Sequence, residues 1–482
     1  MLLSSKRFAS VFVVDYPKKL AYIWQASEYS IPRAMHWWAK IGDFTKFARR
    51  GDLVETRVSI LVRVIIALIV GVYWLVNLLS IIMIHTTILA NVLHIIASIL
   101  LYPIAVVFMS IVPVVLLRFA KVPLDRKKIM RARTIYRDHP GMVIAVAGSY
   151  GKTSMKELLV VALSADKKVA STPGNRNTLQ SQAQFASKLS GTEEFVIVEL
   201  GEGAPRDVAK MVDLIDPDYA VVTGLAPNHL DRYKNIEAIA KDFEALLAHV
   251  GSDNAYLNAD SPELFRLLGT KGTNYSSDGF DGWVPLDVSV GVDSLKFEAE
   301  KCGKSFKLES KFVGRHNIGP MLFAIIFAER LGAKHRNIIK NIEVLKPYEH
   351  RMQARKLHGA WLIDDTYNGN IEGMIAGLAY LEEIEITGRK IYVTPGLVDQ
   401  GDESVAVHER LGRAIADSAP DQVYLMKNKD SDTIRSELTT SGYGGKITIV
   451  DDPLSFYINI QDVLADGDVM LCQNDLPDQY QA

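Results

Sequence analysis

Residues 64–117 run for about 54 positions without a single Asp, Glu, Lys or Arg. One helix needs only about 20 apolar residues to cross a bilayer, so the stretch is long enough for two crossings. The pattern predicts spans near residues 64–84 and 92–117, separated by a polar break at His85, Thr86, Thr87 and Asn91. Pro103 and Pro113 fall in the second and are expected to kink it. The run starts too far into the chain, and is too long, for a cleavable signal peptide. A buried helical hairpin of a soluble domain is the competing reading. Arg49, Arg50, Arg57 and Arg63 precede the run, and Arg118, Lys121, Arg126, Lys127 and Lys128 follow it. The positive-inside bias therefore keeps both flanks in the cytoplasm, as in a two-span protein of the cytoplasmic membrane. Ahead of the spans, Lys18, Lys19, Trp24, Trp37, Trp38, Lys40 and Lys46 form an aromatic and basic mixture. It suits a segment lying in the headgroup layer or a small helical cap packed on the soluble part.

The whole chain of 482 residues exceeds one ordinary core, so several folded units are expected. A formal charge of -2 gives no global basic field, which argues against a nucleic-acid partner. The two cysteines, Cys302 and Cys472, are far apart and match neither a disulfide framework nor a zinc motif.

Beyond about residue 138, short apolar runs alternate with helical patterns, the signature of β-α units around a mostly parallel sheet. Strands are expected at residues 142–147, 195–200 and 219–223. A second series follows at 361–363, 391–394, 422–426, 447–450 and 469–472. The fold class is therefore α/β: a phosphate-loop central domain and a C-terminal Rossmann-like domain, preceded by a transmembrane helical hairpin. The expected boundaries are 1–57 for the N-terminal segment, 58–120 for the spans, 121–345 for the central domain and 346–482 for the C-terminal domain.

The strand MVIAVA leads straight into Gly148, Ser149, Tyr150, Gly151, Lys152, Thr153 and Ser154, and a helical pattern starts at once. Strand, glycine loop and helix form the context that a phosphate site requires. The glycines let backbone N–H groups curl around phosphate oxygens, the helix N-terminus favours negative charge, and Lys152 adds a movable cation. Thr153 is placed to hold a magnesium ion. The strict loop would have glycine where Val146 stands, so this is a shortened variant. Such a loop serves kinases, motors, transport ATPases and ligases alike.

Further segments narrow the choice: TPGNRNT at 172–178, VELGEGAPRD from Val198, VVTGLAPNHLDRY from Val221, NADSPEL from Asn258, GRHNIGP from Gly314, YEHRMQ from Tyr348 and IDDTYNGN from Ile363. Together with GSYGKTS, in this order, they resemble the Mur ligases, and within that family the branch that adds D-alanyl-D-alanine to a muramoyl-tripeptide. The likeness covers about residues 141–412, and more loosely the remainder; residues 1–138 do not match.

The resemblance implies an ADP-forming acid–amino-acid ligase of peptidoglycan synthesis with ATP and Mg2+ as cofactors. Its substrates would be a muramoyl-peptide precursor, UDP-linked or lipid-linked, and an amino acid or dipeptide. It implies that Glu199 binds magnesium beside Thr153, that His229 binds a second ion, that His316 and Asn317 lie beside the adenine, and that Arg351 reaches the γ-phosphate. Asp365, Tyr367, Asn368 and Asn370 would sit on a loop closing over the nucleotide, with Asp364 as structural partner. Lys152, His229 and Arg351 would carry the chemistry. Three departures stand out. Phe243 occupies the place of the family's carbamylated lysine, and Lys241 lies about 200° around the helix from it, so the carbamate is not carried over. Pro320 replaces an asparagine, and the segment VTPGLVDQGDES with the ending GDVMLCQNDLPDQY differs where the amine is expected. The usual N-terminal UDP-holding domain is replaced by the spans, which suggests work at the inner membrane face. A poly-γ-glutamate or folate-type glutamate ligase, and a membrane P-loop ATPase without ligase activity, are the alternatives.

Overall fold

The computed structural model describes residues 5–474 apart from 28, 42–43, 45–52, 54, 84–86, 175, 228–231, 368, 398–399 and 401–402. Two compact units result, Met1–Arg126 with Leu476–Ala482, and Lys127–Asp475.

In the first unit, short helices at Ser5–Ser10, Tyr16–Ala26 and Ile31–Lys40 precede two long ones, Arg57–Met83 and Ile88–Arg137, the second of which belongs to the other unit from Lys127 on. Both long helices are apolar and long enough to cross a membrane. The first leaves Leu68, Leu75, Leu78 and Ile82 about half exposed or more, a contiguous apolar surface that a water-facing helix rarely carries. Both extend past the expected limits. The second continues through Arg, Lys, Met and Ala residues that are themselves good helix formers. Tyr73 Oη donates to the Ser98 carbonyl at 2.6 Å, and Ser98 Oγ donates to Asn77 Oδ1, so polar bonds join the two helices. His85 and Thr86 of the expected break lie outside the described residues.

The N-terminal aromatics face inward. Tyr16, Trp24 and Trp37 are buried in one cluster with Val62, Ile66, Tyr102, Val106 and Val114 of the long helices. Trp24 Nε1 donates to Ser110 Oγ at 2.9 Å and Trp38 Nε1 to Tyr16 Oη at 3.0 Å, which satisfies both indole donors. These residues are helical and pack on the apolar helices, whereas the cap reading has them packed on the soluble part.

The second unit is built on two parallel sheets. The first holds β1 (Met142–Ala147), β2 (Val169–Ser171), β3 (Phe195–Glu199), β4 (Tyr219–Val222), β5 (Ala255–Asn258) and β6 (Thr273–Tyr275), in the order β2-β3-β1-β4-β5-β6. Strand β1 is central, and all its residues after Met142 are buried, as an inner parallel strand covered on both faces requires. One face packs on the helices Lys152–Leu163 and Ile318–Arg330, the other on Asp207–Ile215 and Ile236–Val250.

A small antiparallel sheet, β7 (Val284–Val290), β8 (Leu295–Lys301) and β9 (Lys304–Ser310), was not foreseen from sequence. Its signal is the alternation of Leu295, Phe297 and Ala299 with charged residues. The Cys302-Gly303 turn has both φ values positive, at 51° and 74°, which suits a tight hairpin.

The second large sheet contains β10 (Gln353–Leu357), β11 (Ala360–Asp365), β12 (Lys390–Thr394), β13 (Gln422–Met426), β14 (Lys446–Val450) and β15 (Val469–Gln473), ordered β10-β11-β15-β12-β13-β14. The five expected strands all form and run parallel. The unexpected β10 pairs antiparallel at the edge.

Candidate active site

Ligands of open α/β sheets bind outside the carboxyl ends of the strands, and the glycine loop leaves β1 at that end. Gly148 has φ of 138° and Gly151 a φ of 74°. A Cβ on Gly148 would run into the Thr223 hydroxyl and the backbone of Gly224, so only glycine fits there. Ser149 N donates to the Gly224 carbonyl at 2.8 Å, and Thr223 Oγ1 donates to Ala147 O and Tyr150 O, so the end of β4 braces the loop. The Tyr150 ring covers Gly224, and burial pushes its phenol up to about 12. Lys152 opens the helix, with Thr153 buried and Ser154 half-buried in the same first turn.

The parallel register sets Glu199, the last residue of β3, opposite Val146 of β1. Its carboxylate is buried and accepts from Thr153 Oγ1 at 3.0 Å and from Asn177 Nδ2 at 3.2 Å. Lys152 Nζ donates to Gly148 O and to Glu202, 2.9 Å from Oε2. Arg351 Nη2 reaches Thr153 Oγ1 at 3.4 Å. Its guanidinium lies 4.7 Å from the Tyr367 ring centre, and its buried Nε has no hydrogen-bond partner. A partly buried cation whose buried Nε is a spare donor suits an anion. His350 and Met352, on either side of Arg351, have φ of 61° and 46°, a costly conformation for side chains of this size.

Asp365 ends β11. It accepts from Gln473 Nε2 at 2.8 Å and from Met352 N at 3.2 Å. Burial outweighs these bonds and the nearby Arg351 charge, and raises its carboxyl to about 6. Asp364 is bound to His350 Nδ1 at 2.8 Å and to Thr366 Oγ1 at 2.8 Å, which is a structural use. Asn370 caps the helix Ile371–Glu383 through Gly373 N at 2.9 Å. Asn317 Nδ2 donates to Val313 O at 2.7 Å and faces His316 Nε2 at 3.0 Å. Burial lowers His316 to about 4, so the ring is neutral near pH 7.

The structure thus gathers Gly148, Lys152, Thr153, Glu199 and Arg351 around one point, with Asp365 behind Arg351. His316 and Asn317 stand at the start of the helix Ile318–Arg330, beside Tyr380. His229 and Asn368 lie outside the described residues, as does Asp231.

Among the described residues no group of three or more His, Cys, Asp or Glu forms a metal cage. The donors at the loop nevertheless fit magnesium: a hydroxyl and a buried carboxylate 3.0 Å apart are both hard oxygens. Phe243, at the departure noted above, is fully buried in the core, and its neighbour Asp242 is bound to Tyr233 Oη at 3.0 Å. Two residues with no role in the sequence reading also stand here. Glu202 holds Lys152, and Lys156 is buried with its Nζ 3.5 Å from Glu199.

The Mur ligase middle domain matches residues 146–328, and the Mur ligase glutamate ligase domain matches residues 350–473. The chain belongs to the Mur ligase family. Curated relatives include UDP-N-acetylmuramoyl-tripeptide--D-alanyl-D-alanine ligases of Escherichia coli and Bacillus subtilis. The first is 27% identical over 63% of this chain and 68% of its own; the second is 24% identical over 58% and 62%. This Mur ligase therefore spans about two thirds of their length. A MurF ligase from Thermotoga maritima, solved in complex with ADP, superposes with a TM-score of 0.64 at 24% identity, over 74% of this chain and 82% of its own. It supports the fold. Residues 1–145, which hold both long apolar helices, precede both family matches.

Proposed function

We propose that this Mur ligase is an ATP-dependent amide ligase of cell-wall precursor synthesis. It activates the terminal carboxylate of a muramoyl-tripeptide and joins it to the amine of an amino acid or dipeptide, with D-alanyl-D-alanine as the leading choice. The observation that carries the reading is Thr153, which meets Glu199 of the central sheet and Arg351 from the junction with the second sheet. One point supplied by a phosphate loop, an acidic oxygen ligand and an arginine is what phosphoryl transfer to a carboxylate needs.

When bound, ATP supplies the phosphoryl group that turns the carboxylate into an acyl phosphate, from which the amine displaces inorganic phosphate, and magnesium supplies positive charge. In this reading the loop N–H groups and Lys152 bind the phosphates, Thr153 and Glu199 hold the metal, and Arg351 offsets charge on the transferred group. Tyr367 keeps the guanidinium oriented by stacking. Asp365 fixes the backbone of Met352 and so the direction of Arg351. His316 and Asn317 serve the adenine side, and His229 and Asn368 keep the roles implied by the sequence resemblance.

The two long apolar helices support work at the cytoplasmic face of the membrane, with the acceptor delivered on UDP or on a lipid carrier. The test offers full-length protein in lipid nanodiscs ATP, UDP-muramoyl-tripeptide and D-alanyl-D-alanine, with products read by mass spectrometry. An amide product formed with one ADP per bond is expected. ADP without amide would leave a membrane ATPase, and incorporation of glutamate alone would leave a glutamate ligase.

A further inference from the structure

Lys156 is fully buried, although it sits on the loop's own helix one turn beyond Lys152. Burying an ammonium is expensive unless its charge and its donors are all met. Here they are. Nζ donates to the Thr172 carbonyl at 2.9 Å and to the Gly174 carbonyl, and it lies 3.5 Å from Glu199 Oε2 and 3.4 Å from Glu157 Oε1. One side chain thus ties together the helix after the glycine loop, the turn at residues 172–174 and the candidate metal carboxylate. Among the described residues the turn is also fastened where β2 ends, through Thr172 N to Ile197 O at 3.1 Å and Glu199 N to Thr172 Oγ1 at 3.1 Å, and by Arg176 N to Pro173 O at 3.3 Å. Gly174 itself has a positive φ of 56°.

The geometry points to Lys156 as a positioning residue with two separable effects, resting on the ligase reading given above. Its hydrogen bonds anchor the turn at residues 172–174 at the edge of the site. Its charge tempers Glu199, so that the carboxylate is compensated before a divalent cation arrives and releases that cation more readily afterwards. Lys152 and Lys156 then divide the work: Lys152 is paired with Glu202 and free to exchange partners, whereas Lys156 is enclosed and permanent.

The two effects move two readouts in opposite directions, which a general structural lesion would not do. An opposite charge within about 4–6 Å changes a carboxylate's affinity for a proton by about tenfold or more, and affinity for a metal cation follows the same sign. In the full-length protein, Lys156→Met is expected to tighten Mg2+ binding in the presence of a non-hydrolysable ATP analogue, by about tenfold in calorimetry. It is also expected to speed amide hydrogen exchange at residues 172–176 in the ligand-free protein. Lys156→Gln, which keeps a donor but not the charge, should reproduce the tighter Mg2+ binding with a smaller change in exchange. Weaker or unchanged Mg2+ binding in the Gln variant, or unchanged exchange in the Met variant, overturns the proposal. Neither readout needs ligase turnover. Failure of wild-type protein to form an amide would therefore sink the proposed reaction while leaving the assignment of Lys156 to be decided by these measurements.

Discussion

Glu202→Gln should make the protein bind nucleotide more tightly, because the phosphate-loop lysine is already engaged. Lys152 Nζ lies 2.9 Å and 3.2 Å from the two Glu202 oxygens, and the two side chains are only 12% and 4% exposed. Any triphosphate that recruits Lys152 must first compete with that carboxylate. A hydrogen bond to a charged group is worth about 1.5–3 kcal/mol net, and the near-complete burial of both partners argues against a large reduction by solvent. Exchange of the carboxylate for a neutral amide of the same shape removes most of the competition. At about 1.4 kcal/mol per decade, ATP affinity should rise by roughly ten- to a hundredfold. The assay is calorimetry on full-length protein without magnesium, so that only contacts to phosphate are compared. The melting temperature of the ligand-free variant should fall, since Lys152 loses its partner in a largely buried site, and ATP should restore more stability to the variant than to wild type. Equal or weaker metal-free binding by the variant would refute the competition argument. Loss of affinity confined to magnesium-containing samples would instead make Glu202 a metal ligand.

Lys152→Ala and Glu199→Ala should each abolish ADP formation, measured by a coupled assay; undiminished turnover in either removes that residue from the proposed chemistry. Arg351→Lys retains the charge but loses the planar group stacked on Tyr367, so kcat should fall about a hundredfold or more with little change in ATP affinity; an unchanged kcat would deny it a transition-state role. The carboxyl of Asp365 is raised to about 6, so the stability linked to its protonation is fully present below the usual carboxylate range and is lost as pH rises through about 6. Relative to Asp365→Asn, wild type should therefore gain melting temperature as pH falls from 7 toward 4.5, and parallel pH profiles would show that Asp365 is not perturbed. Full-length protein should sediment with membranes and resist alkaline extraction; its release into the supernatant would remove the two-span reading.

The sequence made β1, β3 and β4 of the first sheet and five strands of the second legible, because inner parallel strands must be apolar on both faces and short apolar runs flanked by turns have few other uses; the short β2, β5 and β6 were not expected. It did not reveal β10, whose residues Gln353, Arg355 and Lys356 read as loop. This strand forms because the edge of β11 is otherwise unpaired, and an edge accepts polar side chains. The hairpin of β8 and β9 was missed for a different reason. Its alternation is plain and Gly303 marks half of the turn, but the other positive φ falls on Cys302, a residue with no turn preference to announce it.

Within the site, what sequence conveyed was the set of residues whose type alone implies chemistry: the glycines, Lys152, Thr153, Glu199 and Arg351. What it could not convey was which charges neutralise one another. Lys152 and Lys156 are four residues apart on one helix, and Glu199 and Glu202 are three apart after one strand. Spacing alone allows either lysine to take either glutamate. Packing decides. The helix Lys152–Leu163 lies against β3 so that Lys156, among Met155, Leu158 and Leu159, is driven into the interior beside Glu199, and Lys152 is left at the mouth with Glu202. A lysine inside the apolar arc of a helix is the signal that was available, because an ammonium is tolerated there only where a carboxylate and carbonyl oxygens converge on it. That convergence also explains how the loop's helix can be preformed without nucleotide: Lys152 and Lys156 each already have an internal counter-charge, whereas Arg351 keeps an open donor. Ligand binding then replaces one partner with another and does not have to build the site.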